Sequence, residues 1–265
     1  MKSDDRSILI SIVTYNSEHI FKVLDQLKSE FKENKNKDLA VKIFDNNSTN
    51  EYKKKLKMYK DFATITFYDE NKGFGFGHNY NLLDSKEDYF LVFNPDVILK
   101  KKELEKLVEV IKSSSSIGLV VPKVLNDDGT TQHLIRNKIT VFDFFLRFIP
   151  FSFVKSLFNK RLKKYECRDL PTDKNSEIKM GSGCFMLLKS QAYKKIKGFD
   201  DQFFMYFEDN DLCLRLREAG YKIIYCPQAT IIHFYEKGAH KNKKLFKIFM
   251  TSMYKFFTKW GWKWI

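Results

Sequence analysis

The sequence predicts an α/β chain with a mostly parallel central sheet flanked by helices, followed by a C-terminal amphipathic helical tail. Three observations carry that expectation. Strand-like and helix-like segments alternate four times in the first hundred residues, the pattern of a parallel sheet wound with helices. Residues 89–93, Tyr-Phe-Leu-Val-Phe, form an unbroken apolar run suited to a strand buried on both faces. Hydrophobic residues are 43% of the 265 and aromatics 16%, enough for a real core and too much for wholesale disorder.

Residues 7–15 read as the first strand, with Ile8, Leu9, Ile10, Ile12 and Val13 nearly continuous. Asn16-Ser17 breaks it and caps a helix, in which Ile20, Val23, Leu24, Leu27 and Phe31 recur at helical spacing. A second strand, 39–44, ends in Asp45-Asn46-Asn47-Ser48 and is followed by a lysine-rich helix over 51–59. Residues 63–68 alternate as a third strand, and 71–79 read as a glycine loop leading into a short helix through Leu83. The strand at 89–93 stops at Asn94-Pro95-Asp96, because Pro95 has no N–H for the ladder. Asp96 is thereby delivered to the carboxyl end of a central strand, the edge at which open α/β sheets bind ligands.

The second half is less regular. Leu104, Leu107, Val108 and Ile111 mark a helix, 118–125 a strand, and Asn126-Asp127-Asp128-Gly129 a hairpin turn. Residues 140–158 are dense in Phe, and 178–188 read as a glycine-containing strand. Glu208-Asp209-Asn210-Asp211 opens a helix, and 222–226 and 229–233 read as two short strands.

A net charge of +14 predicts an anionic partner: nucleic acid, an acidic membrane surface or a phosphorylated substrate. The charge is spread over many lysine-rich helix faces and no nucleic-acid module is present, so nucleic acid is not an expected partner. Cys167, Cys184, Cys213 and Cys226 are scattered without a Cys-x-x-Cys pair, which predicts free thiols in a reducing cytosol and no zinc site. The polar residues 1–6 run straight into a strand, so no signal peptide is expected, and no apolar run approaches the ~18 residues that span a bilayer.

Acidic side chains fall at strand ends and loop edges. Mg²⁺ or Mn²⁺ holding a diphosphate needs only one or two carboxylates, and Asp96 suits that role. His233, at a strand end, is a candidate second ligand. The blander alternatives are that Asp96 starts a turn or caps the next helix and that His233 is a satisfied core residue. Asp209, at the start of a helix where the dipole favours its charge, is the candidate general base; a plain N-terminal helix acid is the alternative. Asp211 and Arg215, four apart, read as a structural pair. The glycine loop lacks a Gly-Lys-Ser/Thr and does not follow the first strand, which leaves either a turn or a close backbone approach to a ligand.

Six motifs occur in order: Thr14-Tyr15-Asn16-Ser17, Asp45-Asn46-Asn47-Ser48, Asn71-Lys72-Gly73-Phe74-Gly75 with Asn79, Asn94-Pro95-Asp96, Gly181-Ser182-Gly183-Cys184-Phe185-Met186, and Phe204 through Arg215. Together they resemble the family 2 inverting glycosyltransferases, in particular the rhamnosyltransferase-like branch that builds O-antigen and related bacterial polysaccharides. The resemblance implies a GT-A fold over 1–238, with a nucleotide-sugar-binding half (1–96) and an acceptor-binding half (97–238). It places Thr14, Tyr15, Asn16 and Asn47 around the nucleotide and makes Asp45 the acceptor for a pyrimidine N3–H. Gly73, Phe74, Asn79 and Asn94 would border the nucleotide sugar. Gly183, Cys184 and Glu208 fall on the acceptor side. Asp96 matches the last acid of the family's DXD motif, with Asn94 in place of the first. Asp209 matches the catalytic base and His233 a metal-ligand position. The implied reaction is a single displacement that moves a sugar, L-rhamnose from a dTDP-linked donor, onto a lipid-linked or growing polysaccharide acceptor. A UDP-hexose or UDP-galactofuranose donor is the alternative, because uracil and thymine present the same N3–H. A non-catalytic sugar-nucleotide-binding relative is a further alternative.

Within 239–265, Leu245, Phe249, Met253 and Phe257 are four apart, lysines flank them, and Trp260, Trp262 and Trp264 follow. A basic aromatic helix of this kind reads as lying in a membrane interface, at the inner face of the cell membrane. The alternative is packing on the domain or on a second subunit of a homo-oligomer.

Overall fold

The computed structural model describes residues 7–31, 39–234 and 243–265. The expected domain boundary near 238 and the first residues of the tail lie outside the described residues. Strands are β1 (Ile8–Thr14), β2 (Leu39–Asp45), β3 (Thr64–Phe67), β4 (Tyr89–Phe93), β5 (Val97–Ile98), β6 (Ile117–Leu125), β7 (Ser176–Ile178), β8 (Phe185–Lys189) and β9 (Lys222–His233). The helices are α1 (Ile20–Glu30), α2 (Asn50–Leu56), α3 (Phe74–Leu82), α4 (Lys101–Lys112), α5 (Val141–Phe148), α6 (Ser152–Leu157), α7 (Asn159–Tyr165), α8 (Ser190–Lys195) and α9 (Glu208–Glu218), with α10 (Lys243–Trp260) after the undescribed segment.

One sheet runs in the order β3-β2-β1-β4-β8-β6-β9-β5, with β7 also on β9. The first four strands are parallel, as the alternation predicts. Beyond β4 the sheet is mixed: β8 lies antiparallel between β4 and β6, β6 and β9 are parallel, and β5 and β7 run against β9. Successive side chains of a strand face opposite sides. Ile10, Leu91 and Phe93 therefore join a core under α1, α2 and α4, while Leu9, Phe90 and Val92 join a second core with α8, α9 and α10.

Several local expectations change. The glycine segment is mostly helix α3. A Cβ on Gly75 would come within 2.8 Å of Phe199 Cβ, and one on Gly77 within 2.8 Å of Val13 Cγ2. Close packing of the helix on its neighbours is enough to require these glycines. The expected strand over 178–188 divides into β7 and β8; between them Met180 bridges Arg136, and a Cβ on Gly181 would lie 2.7 Å from Val121. The two short strands after 222 are one strand, β9, whose register on β6 jumps between Pro122 and Lys123, so that Cys226 opposes Pro122 but Thr230 opposes Lys123. Asn16, at φ +51°, does not cap α1; its Oδ1 accepts from Thr49 N at 2.9 Å and ties the end of β1 to the start of α2.

The tail is helical but not detached. Phe249, Phe256 and Phe257 are buried in the second core. Ser252 Oγ donates to Met205 O at 2.8 Å, and Lys255 Nζ to Gln202 O at 2.6 Å. Packing on the domain, the alternative reading of this helix, accounts for its main apolar stripe. No described helix is long and apolar enough to cross a membrane.

Candidate active site

The parallel strands β2, β1 and β4 end on one edge of the sheet, and the singled-out side chains collect there. Thr14, at the end of β1, is buried with its hydroxyl on Tyr52 OH. Asp45, paired with it in register at the end of β2, is fully buried. Its Oδ2 accepts from Ser48 N at 3.1 Å, and Oδ1 has no partner among the described residues. Burial pushes the Asp45 carboxyl up, opposed by the Ser48 bonds. Tyr15 is 58% exposed at the mouth of this corner, and Asn47 lies on the outer side of the turn with its Oδ1 accepting from Lys53 at 3.2 Å.

Asn46 was not singled out by the sequence, yet it joins this corner to the next. Its Nδ2 donates to Gly73 O at 2.9 Å and its Oδ1 accepts from Lys72 N at 3.1 Å. Gly73 needs its φ of +94°, and a Cβ there would lie 2.1 Å from Phe204 O. Phe74 N donates to the same carbonyl at 2.9 Å, and the Phe74 ring lies against Gly183. Asn79 is engaged throughout by protein: Nδ2 donates to Phe199 O and Asp201, and Oδ1 accepts from Tyr193 OH and Phe199 N. It clasps α3 to the segment after α8.

Past the end of β4, the Asn94 N–H donates to Cys184 O at 3.0 Å, while its Oδ1 is buried with no partner among the described residues. Asp96 and His233 face each other, Oδ1 to Nε2 at 3.3 Å, because Val97 pairs with His233 across β5 and β9. Gln132 sets the ring. Its Nε2 donates to His233 O at 2.8 Å, which fixes the amide and turns its Oε1 to His233 Nδ1 at 2.9 Å. The ring then directs an Nδ1–H at Gln132 Oε1 and turns Nε2 to Asp96. A hard carboxylate oxygen and a borderline imidazole nitrogen set face to face fit a divalent cation that takes both, Mn²⁺ better than Mg²⁺, with remaining positions filled by phosphate and water. No group of three His, Cys, Asp or Glu side chains that could hold a metal occurs among the described residues.

The opposite wall is the start of α9. Tyr206 and Phe207 both have positive φ, +71° and +68°, a left-handed pair costing ~1–2 kcal/mol each. Phe144, Phe249 and Phe256 pack on Phe207 and hold the turn. Asp209 then accepts from Gly183 N at 2.9 Å on Oδ2, and from Asn210 N and Nδ2 on Oδ1. Glu208 is buried, with Oε2 lacking a partner among the described residues. Burial, then the neighbouring Asp209 charge, pushes Glu208 well above the usual carboxylate range; burial also raises Asp209, against the Gly183 and Asn210 N–H groups and the charge of Arg136. Arg136 is a residue the sequence did not mark: it is buried, stacks on Tyr165 at 4.7 Å, and donates to His133 O and Ile135 O. Cys184 lies between the two walls. Burial, then the charges of Asp96 and Asp209, push its thiol up to about 12, so it stays protonated and is no nucleophile.

The arrangement combines a carboxylate–imidazole pair, an elevated carboxylate on the facing wall and buried acceptors at the corner where β1 and β2 end. Comparison with known proteins places it. A family model for "Glycosyltransferase like family 2" matches residues 5–249. The rhamnosyltransferase WbbL of Escherichia coli is 28% identical over 184 residues, 65% of this chain and 64% of that one. An N-acetylglucosaminyl-diphospho-decaprenol L-rhamnosyltransferase of Mycobacterium tuberculosis is 28% identical over 149 residues, 56% of this chain and 47% of that one. The chain thus spans about half to two thirds of the length of these relatives. Among solved structures, GalNAc-T7 with UDP, GalNAc and Mn²⁺ superposes with a TM-score of 0.62 at 12% identity, covering 87% of this chain and 43% of that one. That likeness is one of fold: a GT-A-type α/β sheet flanked by helices.

Proposed function

The chain belongs to glycosyltransferase family 2 and is a glycosyltransferase, and on that premise we propose that it moves L-rhamnose from a dTDP-linked donor onto a hydroxyl of a lipid-linked saccharide, with inversion, at the inner surface of the cell membrane. The carrying observation is the placement of Asp96 and His233 on one wall and Asp209 on the other, with Cys184 between them. The identity to two rhamnosyltransferases supports the sugar, and the diphospho-decaprenol in the name of the mycobacterial relative supports a lipid-linked acceptor.

Asp45 offers its unpartnered Oδ1 to the pyrimidine N3–H. Because Asp45 is fully buried, the side chains covering it move aside as the base enters. Asp96 and His233 would hold Mg²⁺ or Mn²⁺, which when bound would stabilise charge on the leaving diphosphate. Asp209 takes the proton of the acceptor hydroxyl as that oxygen bonds to the anomeric carbon, while the bond from that carbon to the diphosphate oxygen breaks on the opposite face. Its raised pKa makes it a better base than an ordinary Asp, and the Gly183 N–H keeps the carboxylate aimed. No covalent intermediate forms, in keeping with the protonated Cys184.

A donor screen tests this. Purified protein with Mn²⁺ is expected to bind dTDP-L-rhamnose, and slowly hydrolyse it, in preference to UDP-glucose, UDP-galactose and UDP-N-acetylglucosamine, with loss in EDTA. Preference for a UDP-sugar would move the donor while keeping Asp96, His233 and Asp209; binding of none would overturn the reading.

A further inference from the structure

Away from the cleft, α5–α6 and α10 share an outer surface. Residues 138–165 hold seven basic residues and one acid, Asp143; residues 243–265 hold six basic residues and no acid. Asp143 is buried and paired with Arg161 at 2.7 Å, so it does not offset the outer charge. Lys160, Lys163, Lys247 and Lys263 are exposed. The two segments are stitched together. Val141 N donates to Lys263 O at 2.9 Å and Phe142 N to Trp264 O at 3.2 Å, while the Phe142 ring meets Phe158 at the end of α6.

Large apolar side chains stand out of this basic ground. Phe153 is 71% exposed, Leu157 78% and Trp264 64%, with Phe145, Phe151 and Tyr254 also more than half exposed. Trp262 stacks on Trp264 at 5.6 Å and on the buried Phe257 at 5.5 Å, so the exposed rings are anchored to the core. Rigid aromatic side chains projecting among lysines match an anionic lipid surface, where rings insert at headgroup level and each Lys adds attraction. A second copy of the chain would bring the same cations against themselves, which disfavours a self-association face.

We propose that this composite face, formed by α5–α6 and the segment following α10, docks the enzyme on an anionic bilayer. The inference rests on the membrane reading above for its partner and differs from a helix lying flat in the interface: the inner stripe of α10 is spent on the core, and the contact is made by two segments far apart in the sequence.

The test is co-sedimentation of the full chain with vesicles of phosphatidylcholine alone or mixed with phosphatidylglycerol. Capture is expected on the anionic vesicles, falling with added salt. Phe151→Ser with Phe153→Ser, and Trp262→Ser with Trp264→Ser, are each expected to weaken capture about tenfold or more, with nucleotide-sugar binding unchanged. The unmodified protein is a second probe, since its tryptophan emission should be quenched by brominated lipid. Absence of capture, capture indifferent to both double variants, unquenched tryptophan in the bound state, or a dimer abolished by the same substitutions without vesicle binding would each overturn the proposal. Vesicle capture without turnover of any sugar nucleotide would uphold the face and count against the donor reading instead.

Discussion

Trp260 Nε1 donates to Asp211 Oδ1 at 2.9 Å, joining α10 to the helix that carries Asp209. Asp211 is fully buried and also receives Lys259 at 2.6 Å and Arg215 at 2.7 Å. A buried carboxylate is tolerated only with such partners. Trp260→Phe is expected to lower the unfolding free energy by about 1–2 kcal/mol. Asp211→Ala, which strands Arg215, should cost about 3–5 kcal/mol. Urea denaturation of both variants checks the order.

Asp209→Asn keeps an oxygen for the Gly183 N–H but removes the basic one. Turnover should fall about 10²- to 10⁴-fold while donor affinity, read by calorimetry, stays near the native value. A parallel loss of donor affinity would move Asp209 out of the role of base.

Glu208 and Asp209 are both raised, so the folded chain retains protons that the unfolded chain releases. Their contribution to stability is present at low pH and is lost as pH rises from the ordinary values, 4.5 for Glu and 3.8 for Asp, toward the raised ones. Glu208→Gln removes one such group. Its melting temperature relative to native should therefore improve as pH is raised above the ordinary Glu value of 4.5.

Gln132→Leu leaves the Nδ1 proton of His233 without its acceptor and frees the ring to turn. Mn²⁺ affinity, followed by electron paramagnetic resonance with a nucleoside diphosphate present, should weaken about 10- to 100-fold. Gln132→Glu, which keeps the acceptor, should retain most of it.

Much of the frame was legible because it rests on periodicity. The parallel half follows from alternating apolar runs, and Asp96 at the end of β4 from the break that Pro95 imposes. The start of α9 at Glu208 was legible from its acids. Features set by long-range contact were not. Nothing local in Gln132 or Arg136 announces contact with a histidine 101 residues on, or proximity to Asp209. Asn46 sits inside a recognised motif, yet its pinning of Gly73 depends on where α3 packs. The glycines of α3 looked like a loop because their low helix propensity is local, whereas the close packing that overrides it involves Phe199 and Val13. The left-handed pair Tyr206-Phe207 carries no glycine or asparagine to advertise it; aromatic packing from α5 and α10 supplies the reason.

That left-handed turn has a consequence for biosynthesis. On the ribosome, α9 leaves the exit tunnel before α10, and during that interval Phe207 lacks Phe249 and Phe256 and Asp211 lacks Lys259 and Trp260. Until translation has passed Trp260, Phe144 of α5 is the one of the three rings packed on Phe207 that can offset the strain of the turn. The corner built by Thr14, Asp45 and Asn46 lies wholly upstream, so a nascent chain holds those residues well before the packing that fixes the start of α9 is complete.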